Sequence, residues 1–190
     1  MTKHLIIAAL SAALLPGCGG TDDTVLYGAP QVPVQGRISI PHATVALREV
    51  SLPTYATGEE ISVADASGAI QEFPGSVWAD DPVRAVTLRL TDVLGDVTRR
   101  TVASDPWPFQ DNPDVVVDVR VEEFGAQTSG RFVARGRYYV AHDSPGRRDR
   151  ARSFDLAKSF DPELGFPAIA EARSRVIAAL AQTIARDGLR

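Results

Sequence analysis

The chain has almost no cysteine. Cys18 is the only one in 190 residues, so an internal disulfide, a CxxC redox pair and a cysteine-built metal cage are all excluded. A chain without spare thiols suits an oxidising compartment. Positive charge is also short. There are 20 Lys and Arg against 24 Asp and Glu, for a formal charge of -4. Nucleic-acid binding runs on phosphate neutralisation, so this balance argues against it, and it gives no general attraction to anionic lipid surfaces. A membrane-spanning run of roughly 20 apolar residues is missing. So are GxxxxGK[ST], HExxH and GxSxG, which leaves no signature for ATP binding, zinc hydrolysis or a serine elbow. His42 and His142 stand isolated in the sequence and read as surface or turn residues, not ligands. The sequence calls for no cofactor and no metal.

What is present begins with an N-terminal address. Lys3 and His4 precede an apolar run, Leu5 to Leu15, broken only by Ser11. Pro16 and Gly17 stop it, giving the pattern of a signal peptide. Leu15-Pro16-Gly17-Cys18 resembles the bacterial lipobox, which implies cleavage before Cys18 and a diacylglycerol on its thiol. Pro16 departs from the small or β-branched residue usual there. The other reading is an ordinary secretory peptide cut near Ala12-Ala13, with Cys18 a free thiol. One acyl chain anchors a protein only marginally, and a lipoprotein's two or three make the attachment durable. Gly19, where the inner-membrane retention signal has Asp, implies sorting to the outer membrane. The expected divisions are therefore residues 1–17 as signal peptide, 18–43 as lipidated N-terminus and flexible connector, and 44–190 as a single folded domain.

Within that domain, apolar periodicity predicts the elements. Thr24–Tyr27 reads as a short strand, and Gly28–Pro41, with its prolines and glycines, as connector. Strands are expected over Thr44–Leu52, Glu60–Ala64 and Ala69–Phe73. Pro74-Gly75-Ser76 should break the chain. Asp80 should then cap a helix in which Val83, Val86, Leu90 and Val93 face the core, and Gly95 should end it. Val97–Ala103 reads as a strand and Ser104–Pro113 as a loop. Asp114–Phe124, Arg131–Ala141 and Arg148–Ala157 read as an antiparallel meander, with turns near Thr128-Ser129-Gly130 and Ser144-Pro145-Gly146. Pro162–Phe166 is a loop. Pro167 opens a last helix with Ile169, Ala170, Ile177, Leu180, Ala181 and Ile184 on its apolar stripe. The fold class is α/β of the α+β type: an antiparallel-rich mixed sheet with two main helices packed on one face.

With these elements placed, Leu52-Pro53-Thr54-Tyr55 at a strand end, Trp78-Ala79-Asp80-Asp81-Pro82 leading into a helix, and a long alternating strand ending in Glu122-Glu123-Phe124 are together similar to the ABC-type transport auxiliary lipoproteins, the PqiC-like group associated with MCE transport systems. The likeness runs over roughly 44–187. Leu26-Tyr27-Gly28 departs from it, since the family has a Tyr followed two residues on by Leu. The resemblance implies a non-enzymatic, periplasm-facing outer-membrane lipoprotein assisting intermembrane transport of lipid or another hydrophobic solute. The MCE-domain protein and the ABC permease and ATPase would be separate chains. Bridging an envelope needs a path that one small domain cannot enclose, which points to a homo-oligomer. Two other functions stay open: a stand-alone envelope lipoprotein binding a small apolar ligand, and a lipid-anchored hydrolase without a recognised motif.

Few residues point to chemistry. Leu52, Pro53, Tyr55, Trp78, Ala79 and Pro82 read as structural, since large aromatics usually fill cores. Trp107 and Phe109, in a proline-rich loop, suit a partner-contact anchor or a fold-back onto the sheet. The basic run with Arg147, Arg148, Arg150 and Arg152 suits a partner or lipid-headgroup contact, or a charged strand edge that blocks sheet-to-sheet pairing. Asp114, Asp118 and Glu122 share a strand face. Neighbours among them are about 14 Å apart at ~3.4 Å per residue, too far for one ion.

Overall fold

A computed structural model describes residues 24–143 and 147–190 of the chain. The lipobox, Cys18 and the expected Ser144-Pro145-Gly146 turn lie outside those residues. In chain order the elements are β1 (Val25–Tyr27), β2 (Thr44–Leu47), β3 (Glu60–Ala64), β4 (Ile70–Trp78), α1 (Pro82–Thr98), β5 (Thr101–Ser104), β6 (Val115–Gln127), β7 (Arg131–His142), β8 (Arg150–Ser159) and α2 (Gly165–Thr183). A short π turn, Ile184–Gly188, continues α2.

β6, β7 and β8 form the antiparallel meander the alternation predicts. Val115, Val117, Val119 and Val121 are buried, and the residues between them are exposed or half-buried. The other edge of β6 is shared by two strand groups. β2 lies parallel to it along Val115–Val117, with β5 beyond. β3 lies parallel to it along Ala126–Gln127, with β4 and then β1 beyond. Between the groups the backbone ladder along β6 is continued by an isolated bridge of Ser51 to Arg120. The result is one eight-stranded mixed sheet, forked along the far side of β6.

Both helices cover one face. Val86, Leu90, Val93, Leu94 and Val97 of α1 join Ile169, Val176, Ile177 and Leu180 of α2 in a core with the valines of β6 and with Phe132, Tyr138 and Val140 of β7. The opposite face is open and charged. Asp118 pairs with Arg48 at 3.4 Å and Arg120 at 3.0 Å, and Arg135 pairs with Glu123 at 2.6 Å and Asp155 at 3.1 Å. Such exposed pairs add little stability, but they keep this face wet.

Several expectations are corrected. Pro74-Gly75-Ser76 does not break the chain. β4 runs through it to Trp78, because the register jumps between Ile61↔Phe73 and Glu60↔Val77 and leaves those residues in a bulge. A bulge asks for no ladder hydrogen bond, so proline fits there, and Gly75 takes φ 81°. The helix cap is Asp81, not Asp80: its carboxylate accepts the Arg84 N–H at 2.7 Å. Pro82 then takes the first turn, where it gives up no hydrogen bond. Gly95 lies inside α1, which runs on to Thr98 and ends at Arg99 in the left-handed conformation, φ 55°. Val97 follows Val93 by one turn and is buried, and that packing outweighs a glycine penalty of about 1 kcal/mol. The strand expected over Val97–Ala103 therefore shrinks to β5. The strand expected over Thr44–Leu52 stops at Leu47. The third meander strand begins at Arg150 instead of Arg148. The Pro162–Phe166 loop is a 3-10 turn over Pro162–Leu164 leading into α2 at Gly165.

The segment expected to be a flexible connector is packed from Val32 onward. The Val32 carbonyl accepts from Arg89 of α1 at 3.2 Å, the Ile38 N–H donates to Val97 O at 2.8 Å, and the Ile40 carbonyl accepts from Arg100 at 3.1 Å. Val32 to Gln35 border the α2 surface at Ala178, Ala179 and Gln182. Ile38 and Ile40 are buried. Residues 32–43 thus form a strap across the helix layer that delivers the chain to the start of β2. There Asp114 accepts the N–H groups of Ala43 at 2.6 Å and Thr44 at 3.0 Å, and its own N–H donates to Thr44 Oγ1 at 2.9 Å. Asp114 therefore pins two strand starts together, whereas the sequence places it on a wet sheet face.

Candidate functional site

Three clusters carry the chemistry-bearing side chains. The first fills the fork of the sheet. Between Ser51 and Val63 no strand covers β6, and the Phe124 N–H is left without a ladder acceptor. Tyr55, in a 3-10 turn over Thr54–Ala56, supplies one: its Oη accepts that N–H at 2.9 Å. Leu52 and Pro53 are half-buried beside it. Trp78, at the end of β4, is half-buried and packs on the core. The Ala79 N–H donates to Tyr27 O at 3.0 Å, tying β1 down. Pro82 is buried, and its carbonyl accepts from Arg173 Nη2 at 3.3 Å.

Arg173 is the residue that sequence reasoning missed. It lies on α2, is 2% exposed, and stacks its guanidinium over Trp78 at 4.2 Å and within 5.8 Å of Phe124. Burial pulls its pKa down to about 10, against the opposing pull of Asp80 and Asp81. A buried cation without a paired carboxylate is costly. The aromatic faces offset part of the cost, by about 2 kcal/mol for a desolvated contact. No sequence signal marks it: Arg173 shares its stretch of α2 with Glu171 and Arg175, and only the fold shows that Arg173 is the buried one. Beside it lies a cavity of about 20 Å³, lined by Tyr55, Trp78, Phe124 and Phe132 among others, which is room for about one water.

The second cluster is the loop after β5. Trp107 Nε1 donates to Asp111 O at 2.8 Å, and the rings of Trp107 and Phe109 meet edge to face at 5.0 Å. Trp107 is half-buried and Phe109 is 51% exposed. The loop presents an apolar tip whose base is held by its own backbone.

The third cluster is a basic corner at the β6 start and β7 end. Arg147 and Arg148 are exposed, and Arg150 is half-buried. Arg150 Nη1 donates to Gly188 O at 3.2 Å and also to Arg190 O. The two histidines that look isolated in the sequence meet here, with ring centroids 5.0 Å apart. His42 is 4% exposed, so it is a buried residue and not a surface one. Its Nε2 lies 3.4 Å from Arg147 Nη1. Burial, then Arg147, lowers the pKa of both rings. An open groove of about 580 Å³ runs past His142, Arg147, Arg148, Arg150 and Arg152. Linear distance concealed the histidine pairing, because the strap brings residue 42 to the end of β7.

Among the described residues, no group of three or more His, Cys, Asp or Glu is arranged to hold a metal, and no helix is long and apolar enough to cross a membrane. Comparison with known proteins now adds to this geometry. The fold is similar to that of a solved uncharacterised protein, with a TM-score of 0.67 and 16% identity over 83% of this chain and 95% of that one. It is also similar to a protein of the DUF330 family from Xanthomonas campestris, with a TM-score of 0.64 and 16% identity over 87% of this chain and 95% of that one. A looser likeness, TM-score 0.44 and 13% identity over 81% of this chain and 95% of the other, is to the PelC dodecamer from Paraburkholderia phytofirmans. No curated protein sequence matches the chain. The family profile of the ABC-type transport auxiliary lipoprotein component matches residues 25–185, from β1 through the first residues of the π turn that follows α2, and the chain belongs to that family.

Proposed function

We propose that the chain is a non-enzymatic adaptor of an MCE-type intermembrane lipid transport system, anchored through Cys18 to the periplasmic face of the outer membrane. It works on separate MCE and ABC permease and ATPase chains, and self-association would extend one small body into a longer path. Family membership over residues 25–185 carries this reading. The packing supports it. The cavities at the fork are about 20 and 30 Å³, far below the roughly 300–1,000 Å³ of a small-molecule site. A lipid does not fit inside them, so the working parts are surfaces: the Trp107–Phe109 tip and the basic corner with Arg147, Arg148 and Arg150. A stand-alone binder of apolar ligands gains no support from such an interior.

Crosslinking in intact envelopes, followed by capture and mass spectrometry, tests the proposal. The expected neighbours are an MCE-domain protein and an ABC permease. Recovery of neither, with the protein itself recovered in good yield, would overturn the transport reading. Cys18→Ser should abolish palmitate labelling and leave the precursor unprocessed; undiminished membrane attachment in that variant would defeat the anchor.

A further inference from the structure

We propose that the corner formed by His42, His142, Arg147 and Arg150 is a binding site for a phosphate group, presented as an anionic lipid headgroup or as free phosphate. The inference goes beyond the transport reading and stands without it, because it rests on the arrangement of charge.

Four arginines, Arg147, Arg148, Arg150 and Arg152, line or border one groove of about 580 Å³ with His142. None of them enters a salt bridge among the described residues. The acidic groups that face the histidines are already engaged by backbone donors. Asp149 accepts the His142 N–H at 3.1 Å, and Asp114 accepts from Ala43 and Thr44. The chain as a whole is acidic, yet at this place the cations outnumber the anions, and among the described residues no side-chain carboxylate pairs with them.

The corner is also built, not merely basic. His42 is buried at the end of the strap, just before Ala43 and Thr44, whose N–H groups donate to Asp114. Arg147 can only donate, so His42 Nε2 at 3.4 Å must present its lone pair to it. Among the described residues, His142 Nδ1 is buried without a hydrogen-bond partner. The backbone oxygens of Gly188 and Arg190 hold Arg150 in place. A tetrahedral oxyanion has acceptors pointing in several directions, which suits guanidinium forks and a ring N–H arriving from different elements. The bound anion would relieve the repulsion between the arginines and the rings. Binding should therefore take up a proton on the histidines and tighten as pH falls through the histidine range. The groups facing the two rings are Arg147, Arg150, Asp114, Asp149 and each other.

The test uses the full chain in phosphatidylcholine nanodiscs, following the ring proton NMR signals of His42 and His142. In one arm inorganic phosphate is added against chloride at equal ionic strength. In the other, phosphatidic acid is included in the nanodisc. A saturable shift of both rings with inorganic phosphate identifies a free-phosphate site. A shift only with phosphatidic acid identifies a headgroup site. In either case Arg147→Gln should weaken the response about tenfold, the loss of one charge-assisted hydrogen bond. Arg147 is exposed, so this variant should fold normally, and Arg150→Gln serves as a second probe. Absence of a saturable shift in both arms, or an undiminished shift in Arg147→Gln, would overturn the site whatever the envelope crosslinking shows.

Discussion

Asp114 holds the starts of β2 and β6 together with one carboxylate. The Thr44 and Ala43 N–H groups keep its pKa below the usual carboxylate value of 3.8. The pKa is lowered on folding, so the stabilisation is present above about pH 4 and fades as pH falls through the folded-state value. Asp114→Asn should cost about 1 kcal/mol at neutral pH and flatten the acid limb of stability, measured by urea unfolding across pH. An unchanged acid limb would remove Asp114 from that role. Gly136 tells a different story at the same scale. A Cβ there would stand 2.2 Å from Arg120 O and 2.9 Å from Val121 Cα, opposite the β6 bulge. Gly136→Ala should cost about 3 kcal/mol or more, visible as a lower urea midpoint or loss of soluble protein. Residue roles were unevenly legible. Trp78, Tyr55 and Pro82 stood out by type. Their partner Arg173 did not, because nothing in sequence spacing says that a helix from the far end of the chain will lay a guanidinium on Trp78.

Elements were legible where their period was strong and unbroken. Val115, Val117, Val119 and Val121 alternate along β6, and the structure buries all four. Elements bounded by punctuation residues were misjudged, since tertiary packing decides whether Gly95 or Pro74 is a stop. The strap was hidden for a related reason. Proline and glycine between Gly28 and Pro41 look like linker, but Ile38 and Ile40 sit in the core. Ile40 is 2% exposed, and Ile40→Ala should cost about 2–4 kcal/mol in a denaturant titration. The same variant should speed hydrogen exchange at the Ile38 amide, which donates to Val97. Protection equal to wild type there would mean that the strap is held by its polar contacts alone.

At the scale of the whole molecule, one sheet face is sealed by helices and the other is covered with ion pairs, so large apolar contact is left to small projections. Phe109 is the clearest. Phe109→Ala should change stability by less than about 0.5 kcal/mol, as exposed substitutions do, while lowering the yield of envelope crosslinks. Equal yield would clear the loop of a contact role. The fork has another consequence, in the order of synthesis. β2 and β3 both need the edge of β6, which lies in the second half of the chain. An emerging N-terminal half would therefore carry β2 with no edge to join and β3 with one edge open, and unpaired strand edges invite wrong partners. The meander of β6, β7 and β8 is contiguous in sequence and closes only short loops. The last half of the chain to appear is thus the template on which the first half must wait to fold.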